Sequence, residues 1–228
     1  MILSVIIPLY NEKATIEEIV RRVKAAEPQD KEIIIVDDGS TDGTRDVLKN
    51  LAADKVKVIL HEKNAGKGGA IRTGLEAARG DIVMLQDADL EYDPKEIAAL
   101  IKPIQDGMAD VVYGSRFMGG RPQRVHMFWH QIGNRFLTFL ANITYNYTLT
   151  DLETCYKAFR RDFIKDFKIR SNGFTIEPEL TAKIWKKHAR LYEVPISYYG
   201  RSYDEGKKIR FYHGLECIWA IIKFRFVD

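Results

Sequence analysis

Three carboxylates stand at alternate positions in the segment VMLQDADLE: Asp87, Asp89 and Glu91. They follow four apolar residues that predict a buried strand. Side chains two apart on a strand share a face, so Asp87 and Asp89 are expected to point the same way. Like charges this close repel unless a positive group lies between them. Because Mg²⁺ takes one or two protein carboxylates and leaves room for phosphates and water, the spacing predicts a site for Mg²⁺ or Mn²⁺ held by Asp87, Asp89 and Glu91.

Other interpretations of this acidic segment are weaker. An EF-hand loop starting at Asp87 needs glycine at its sixth position and glutamate at its twelfth, where the chain has Tyr92 and Ala98. A solvated acidic turn that caps the helix predicted to start at Pro94 is the remaining alternative.

The elements that must position these residues alternate between short apolar runs and helical patterns. Strands are predicted at 2–7, 32–36, 56–60, 82–86 and 111–113, with helices near 16–23, 42–52, 67–78 and from 94. Thr15 and Glu18 have the spacing of a capping box before the first helix. This alternation favours an α/β fold, a mostly parallel sheet covered by helices on both faces. Beyond residue 115 we predict helix 126–145, strand 154–159, helix 177–187, strand 191–198 and an aromatic helix 211–226.

Composition narrows the class of protein. The chain has 228 residues, of which 46% are hydrophobic, and this suits a single domain spanning 1–228. A formal charge of +3 is too small to argue for a nucleic-acid partner. Two cysteines, Cys155 and Cys217, give no disulfide framework, so a reducing, cytoplasmic location is expected. The apolar N-terminal segment predicts a strand and not a signal peptide. No run approaches the roughly 18 apolar residues of a spanning helix, so we expect a soluble or peripheral protein.

The predicted strands end in unusually polar loops. Ligands of open α/β sheets bind beyond the carboxyl ends of the strands, so these loops are expected to converge on one site. A dinucleotide fingerprint is excluded because Ile71 stands where its third glycine belongs, and no Ser or Thr follows a Gly-Lys pair to make a Walker A motif. Lys67, between glycines, is a candidate anion contact, with tight turning as the alternative. The loops are PLYNE at 8–12, DDGSTDG at 37–43, NAGKGG at 64–69, QDADLE at 86–91 and GSR at 114–116.

Five motifs occur in order and at suitable spacing: IIPLYNE, VDDGSTDGT, NAGKGGAIRTG, GDIVMLQDADLEYDP and VVYGSR. Together they resemble the family 2 glycosyltransferases of the GT-A fold, most of all the dolichol- and polyprenyl-phosphate mannose and glucose synthases. The resemblance covers nearly the whole chain. It implies a GT-A type Rossmann-like sheet and an inverting, metal-dependent transfer of a hexose from a UDP- or GDP-sugar. It further implies a donor half, 1–115, and an acceptor half, 116–228.

The resemblance also implies roles for individual residues. Asp87, Ala88 and Asp89 match the D-x-D element, which with Glu91 would hold the metal against the diphosphate. Asp89 and Arg116 would be the catalytic residues, and Arg116 would face an acceptor phosphate. The nucleoside pocket would be lined by Pro8, Tyr10 and Glu12, with Val36, Asp37 and Asp38 at the base and ribose. Arg201 and Lys207, in YYGRSYDEGKKI, would close over the diphosphate.

The acceptor half carries a second signal. Residues 115–150 contain four arginines, seven aromatic residues and no Asp or Glu, which suits an anionic head on an apolar tail. The C-terminal segment HGLECIWAIIKFRF predicts a helix in the bilayer interface, with a core-facing helix as the alternative. We therefore expect a polyprenyl phosphate acceptor, dolichyl or undecaprenyl, at the cytoplasmic membrane face, which is compatible with a membrane-anchoring protein partner. The phosphate candidates are Arg116, Arg124, Asn134 and Arg135.

Two departures from the lipid-phosphate synthases keep other acceptors and functions open. Lipid-phosphate synthases usually follow their aspartate with a Ser-Gly-aromatic pattern, whereas Asp151 here leads to Thr154-Cys155-Tyr156. Many relatives also carry C-terminal spanning helices. A hydroxyl acceptor is therefore the alternative within the class. Outside it stand a sugar-nucleotide nucleotidyltransferase, which usually has a glycine-rich loop where this chain has PLYNE, and a non-catalytic nucleotide-binding protein.

Overall fold

The computed structural model describes residues 1–52, 55–125, 127–202, 204–206 and 211–227, and in these residues seven strands form one sheet. The strand order is β3-β2-β1-β4-β6-β5-β7, and every neighbouring pair is parallel except those that β6 makes with β4 and β5. The strands are β1 Leu3–Leu9, β2 Lys31–Asp37, β3 Val56–Leu60, β4 Ile82–Leu85, β5 Val111–Ser115, β6 Lys157–Arg160 and β7 Leu191–Pro195. The helices are α1 Ile16–Ala25, α2 Thr44–Leu51, α3 Lys67–Ala77, α4 Ile97–Gln105, α5 Phe128–Tyr145, α6 Arg161–Ile164, α7 Ile176–Lys186 and α8 Phe211–Phe226.

Two apolar layers cover the sheet. The central strands β1 and β4 are buried along their whole length, as expected where helices lie on both faces of parallel strands. Helices α1, α2 and α4 pack on one face, and α3, α5, α7 and α8 pack on the other. The predicted mostly parallel α/β sheet is therefore confirmed.

The order of the strands locates the place where a ligand can enter. From β1 the chain moves outward to β2 and β3 and then returns to add β4 on the other side of β1. Such a reversal leaves a crevice between the loops of the two inner strands, at their carboxyl ends. In this chain the two loops are those that follow Leu9 and Leu85.

Several local predictions differ from the structure. Strand β4 ends at Leu85, so Asp87 and Asp89 lie in the turn beyond it and the alternation of a strand does not orient them. The capping box at Thr15 is wrong, because the Thr15 hydroxyl donates to the Glu12 carboxylate at 3.0 Å instead of capping α1. The strand predicted at 154–159 begins only at Lys157, and the one predicted at 191–198 ends at Pro195, which leaves longer loops beside the crevice.

The C-terminal helix α8 uses both of its faces. One face is buried, with Cys217, Ala220, Ile221 and Phe224 in the core. The Tyr145 hydroxyl of α5 donates to the Ile221 carbonyl at 2.7 Å and joins the two helices. The opposite face exposes large apolar side chains. The core-facing interpretation therefore describes one side of the helix, and its placement in the bilayer interface stays a prediction. Within the described residues, none of the helices combines the length and hydropathy needed to cross a bilayer.

A close backbone contact ties the first turn of α3 to residues 171–172 in the second half of the chain. The Gly68 N–H donates to the Asn172 carbonyl at 2.7 Å. A Cβ atom at Gly68 would lie 2.0 Å from the Ser171 carbonyl oxygen, which is far inside van der Waals contact. Only glycine therefore allows this approach.

We expect Gly68→Ala to lower the free energy of unfolding by about 1–3 kcal/mol, because the added methyl must push the 171–172 backbone away. Urea unfolding followed by circular dichroism measures the change. Gly133→Ala is the matched control: Gly133 also lies in a helix, α5, but a Cβ there meets nothing within 4 Å. The free energy of unfolding of this control should rise by about 0.5–1 kcal/mol, because alanine has a higher helix propensity than glycine. Equal urea midpoints for Gly68→Ala and the parent protein would show that the backbone contact at Gly68 is not as close as described.

Candidate active site

One cleft of about 640 Å³ lies at the carboxyl edge of the sheet, a size that suits a small ligand. All five loops predicted to converge contribute to it, because β1 to β5 point the same way. The second half of the chain closes the other side with residues 173–174, with Tyr198 and Arg201, and with the start of α8. From the loops, the cleft is lined by Pro8, Tyr10, Glu12, Asp38, Asn64, Lys67, Asp87, Ala88, Asp89, Glu91 and Arg116.

Lys67 is the cation that balances Asp87. Its Nζ lies 3.0 Å from Asp87 Oδ1 and donates to the Cys155 sulfur at 2.7 Å. Burial alone would lower the pKa of Lys67, but Asp87, Cys155 and Glu177 raise it more strongly, so the net shift is upward. The ammonium therefore stays charged on the floor of the cleft, where it is already engaged with protein groups.

Arg201 is the cation that balances the other carboxylates. Its guanidinium lies 3.1 Å from Asp89 and 3.3 Å from Glu12, and its Nε lies 3.6 Å from Glu91. Burial first, then Asp87 and Glu91, raise the pKa of Asp89 to about 7, while Arg201 lowers it. The carboxylates that the sequence brings together thus meet two cations from other loops, Lys67 and Arg201.

Glu91 holds the segment that carries Arg201. Its carboxylate accepts hydrogen bonds from the Tyr198 hydroxyl at 2.7 Å and from the Arg201 backbone N–H at 2.8 Å. The residue is largely buried. Because both oxygens of Glu91 already have partners, its first task in this arrangement is to position the Arg201 loop beside Asp89.

Arg116, just beyond β5, forms a buried ion pair with Asp151. Two nitrogens of its guanidinium donate to the two Asp151 oxygens, each at 2.7 Å, and the Arg116 backbone N–H donates to the same carboxylate at 3.0 Å. Burial alone would lower the pKa of Arg116, but Asp151 raises it more, so the cation persists. Bidentate geometry fixes the orientation of the guanidinium at the wall of the cleft.

The two aspartates after β2 have different surroundings. Asp38 lines the cleft, yet its carboxylate accepts from the backbone N–H groups of Ala65 and Gly66 at 2.8 and 2.7 Å. Asp37 is fully buried and pairs with Arg45 at 2.7 Å. Asp38 therefore holds the 64–66 loop at the cleft. Asp37 stabilises the turn that follows β2 and does not line the cleft.

The structure does not bring every predicted residue to the cleft. Val36 lies in the core on β2. Arg124 donates to Glu205 and to the Gly200 carbonyl. Asn134 and Arg135 lie on α5, and neither lines the cleft in the described part of the chain. Lys207 falls outside the described residues.

Several cleft residues had no sequence signal strong enough to find them. Glu153, Phe174, His213 and Glu216 also line the cleft, and they come from three separate segments of the second half of the chain. Glu153 lies two residues after the ion-paired Asp151, in the loop that the sequence assigned partly to a strand. Only the fold brings these segments together, so spacing along the chain could not group them.

Comparison with known proteins identifies the family of this chain. The family model described as glycosyl transferase family 2 matches residues 4–167. The dolichol-phosphate mannosyltransferase of Pyrococcus furiosus is 31% identical over 211 residues, which are 91% of this chain and 59% of that protein. The low-salt glycan biosynthesis hexosyltransferase Agl6 of Haloferax volcanii is 30% identical over 230 residues, 99% of this chain and 53% of that protein. The chain thus spans a little over half the length of these two relatives.

The fold has a counterpart among solved structures. Glucosyl-3-phosphoglycerate synthase from Mycobacterium tuberculosis, in complex with Mn²⁺, UDP and phosphoglyceric acid, superimposes with a TM-score of 0.76 at 20% identity. The match covers 99% of this chain and 79% of that one. At this identity the likeness concerns the fold. The family model, which spans the five converging loops and the D-x-D element, carries the assignment: the chain belongs to glycosyl transferase family 2.

Proposed function

We propose that this chain is an inverting, metal-dependent glycosyltransferase that moves a hexose from a nucleotide sugar to a polyprenyl phosphate. The observation that carries the proposal is the convergence of Asp87, Asp89 and Glu91 with Lys67 and Arg201 in one cleft. Breaking the bond between a sugar and a diphosphate develops negative charge on the leaving group. Cationic groups fixed beside that charge stabilise the transition state.

The carboxylates fit a divalent cation that arrives with a diphosphate. Within the described residues, no group of three or more His, Cys, Asp or Glu side chains is arranged to hold a metal ion by itself. Glu12, Asp89 and Glu91 nevertheless surround one cation already, the Arg201 guanidinium. Mg²⁺ needs only one or two carboxylates when phosphates supply other ligands. Asp89, with Asp87 and Glu91 beside it, would hold Mg²⁺ or Mn²⁺, which acts as a Lewis acid on the leaving diphosphate.

The donor would lie along the loops after β1, β2 and β3. Pro8 and Tyr10 line the cleft beside Asp38 and would contact the nucleoside. Val36 and Asp37 would support this pocket from behind, since both are buried. Arg201, with Lys207, would turn from the carboxylates to the diphosphate. The relative solved with Mn²⁺ and UDP supports a nucleotide donor of this kind.

Arg116 would direct the acceptor phosphate to the sugar. It keeps its positive charge in the pair with Asp151 and lines the cleft. A phosphate acceptor is already anionic at neutral pH, so it needs orientation more than a strong base. Its oxygen forms the new bond to the anomeric carbon as the bond to the diphosphate breaks. The similarity to a dolichol-phosphate mannosyltransferase supports this acceptor class.

A lipid acceptor also accounts for the apolar surface beside the cleft. Helices α5 and α8 pack together and leave their outer faces rich in exposed apolar side chains, with Trp129 78% and Trp219 65% exposed. A patch of this kind marks an interaction site. Arg124, Asn134, Arg135 and Lys223 stand on or beside these helices and would meet anionic headgroups. We therefore propose peripheral binding at the cytoplasmic membrane face, with or without an anchoring protein partner. The other exposed apolar residues of this face are Phe128, Ile132, Phe136, Phe139, Ile143, Tyr212, Leu215, Ile222 and Phe226.

A hydroxyl acceptor on a glycan or small molecule is the second candidate. It is favoured by the pairing of Arg116 with Asp151, and because Arg124, Asn134 and Arg135 do not line the cleft in the described part of the chain. Transfer of radiolabelled sugar into a butanol-extractable product that mild acid cleaves distinguishes the two acceptors. A labelled lipid is expected, and its absence with every polyprenyl phosphate tested would leave the second candidate.

Thermal-shift measurements identify the donor. UDP-, GDP- and dTDP-sugars, each with and without Mn²⁺, should stabilise the protein only where they bind the folded state. Binding is expected to be selective for one base and to need the metal. Stabilisation by all bases alike, or equally without Mn²⁺, would contradict a metal-bridged donor site.

We expect Asp89→Asn to lower the rate of sugar transfer by about 100-fold or more, because it removes a carboxylate that would hold the metal worth several kcal/mol in the transition state. The variant should stay folded, since it also relieves repulsion between Asp89 and its neighbours Asp87 and Glu91. Steady-state transfer assays and circular dichroism measure both effects. Asp93→Asn is the control: Asp93 accepts from the Lys95 N–H at a helical turn, a cap that asparagine also provides. An Asp89→Asn enzyme with full activity would overturn the assignment.

The membrane proposal predicts co-sedimentation with vesicles that contain anionic phospholipid. Trp219→Ser should weaken this binding about tenfold, because it removes a large side chain that would enter the interface. Added salt should weaken it further. Met108→Ser is the control, since Met108 is 46% exposed but follows α4, on the other face of the sheet. Protein that stays in the supernatant with every vesicle would contradict the proposal.

A further inference from the structure

The buried charges at the acceptor end of the cleft are nearly balanced. A carboxylate left without a cation in such a place is costly, and so is a cation left without a carboxylate. Glu153 is a carboxyl group in this region that none of the buried ion pairs includes. Its side chain lines the cleft together with Arg116. The buried pairs are Lys67 with Asp87, Lys157 with Glu177, and Arg116 with Asp151.

One oxygen of Glu153 lacks a partner. In the described part of the chain, Oε1 is inaccessible to solvent and has no hydrogen bond. The other oxygen, Oε2, accepts only from the Cys217 thiol at 3.9 Å, which is a weak donor. Buried polar atoms are nearly always hydrogen-bonded, so an orphan oxygen on a residue that lines the cleft points to a ligand that completes it.

The surroundings of Glu153 favour its protonated form. Burial first, then Glu177, raise its pKa to about 7, and Asp151 adds to this, whereas Lys157 and Arg116 lower it. Glu216 and His213 of α8 face the same end of the cleft. A negatively charged ligand would raise the pKa further, because like charges disfavour ionisation. The protonated form would then dominate in the complex.

We infer that Glu153 binds the acceptor as a neutral carboxylic acid and donates its O–H to an oxygen of the acceptor phosphate, while Arg116 supplies the positive charge. The inference rests on the proposed transfer to a phosphate. No proton leaves the acceptor in this arrangement, so Glu153 keeps its own proton while the phosphate oxygen attacks. Buried carboxyl groups in other enzymes serve as neutral donors at pH 7 in the same way. A hydroxyl acceptor would need the reverse, a Glu153 carboxylate that takes a proton.

Glu153→Gln and Glu153→Ala test this role. Glutamine has nearly the same shape, donates a hydrogen bond and cannot ionise, so it should keep transfer to a short-chain polyprenyl phosphate within a few-fold. Alanine should raise the acceptor KM about tenfold or more, the effect of losing one hydrogen bond to a charged group, and leave the donor KM unchanged. Glu76→Gln, on the exposed face of α3, is the matched control.

The pH profile separates binding from a merely structural role. In the parent enzyme the acceptor KM should rise as pH increases through about 7, because the donor form of Glu153 is lost. Glu153→Gln should lack this rise. The second ionisation of the acceptor phosphate, near pH 6, affects both proteins alike and cancels in the ratio of their KM values.

The following outcomes would overturn the inference. A fall of about 100-fold in kcat for Glu153→Gln, with the acceptor KM unchanged, would make Glu153 a base for a hydroxyl acceptor. Identical KM values and pH profiles in all variants would mean that Glu153 does not contact the acceptor. Failure of the proposed function is seen separately, as a parent enzyme that transfers sugar to no polyprenyl phosphate. Circular dichroism checks whether Glu153→Ala is folded. If it is not, the pH profile of Glu153→Gln tests the inference alone.

Discussion

The need to balance buried carboxylates at one edge of a parallel sheet shapes the whole cleft. Glu12, Asp89 and Glu91 arrive from the loops after β1 and β4 and meet Arg201, which follows β7. Asp87 meets Lys67 at the start of α3. Leaving any of these charges buried and alone would cost several kcal/mol. The contacts of Arg201 therefore tie the second half of the chain to the first, whereas Lys67 and Asp87 both lie in the first half.

This pairing has a consequence for ligand binding. A metal-bound diphosphate carries charges of both signs, so on the proposed function it can exchange partners with the resident pairs instead of adding unbalanced charge. Asp89 would hold the metal, and the Arg201 guanidinium would turn from Asp89 to the phosphates. Because the fixed charges are oriented in advance, little reorganisation remains for the reaction itself.

The sequence predicted the first half of the fold well, because its strands are continuous apolar runs bounded by Gly, Asp and Asn. It also predicted the five loops that line the cleft, since the direction of parallel strands decides where they end. The sequence did not predict which cation pairs with which carboxylate in the cleft. Arg201 lies 112 residues from Asp89, and β6 enters the sheet antiparallel between β4 and β5. Val36 and Asp37 belong to the same motif as Asp38, yet only Asp38 reaches the cleft, because a motif gives residue types and the backbone decides which side each faces.

Helix α8 joins the two surfaces that a lipid acceptor would use. Its first turns line the cleft through His213 and Glu216, its inner face packs Cys217 against Glu153, and its outer face exposes apolar side chains. The bond from Tyr145 to the Ile221 carbonyl holds the helix against α5, which carries the rest of the exposed apolar face. A headgroup entering the cleft would therefore pass the same helix whose outer side its tail contacts. On the proposed function, the placement of α8 would link the depth of the protein in a membrane to the position of the acceptor phosphate beside Arg116 and Glu153. Both proposals about the acceptor would then depend on the packing of α8 against α5.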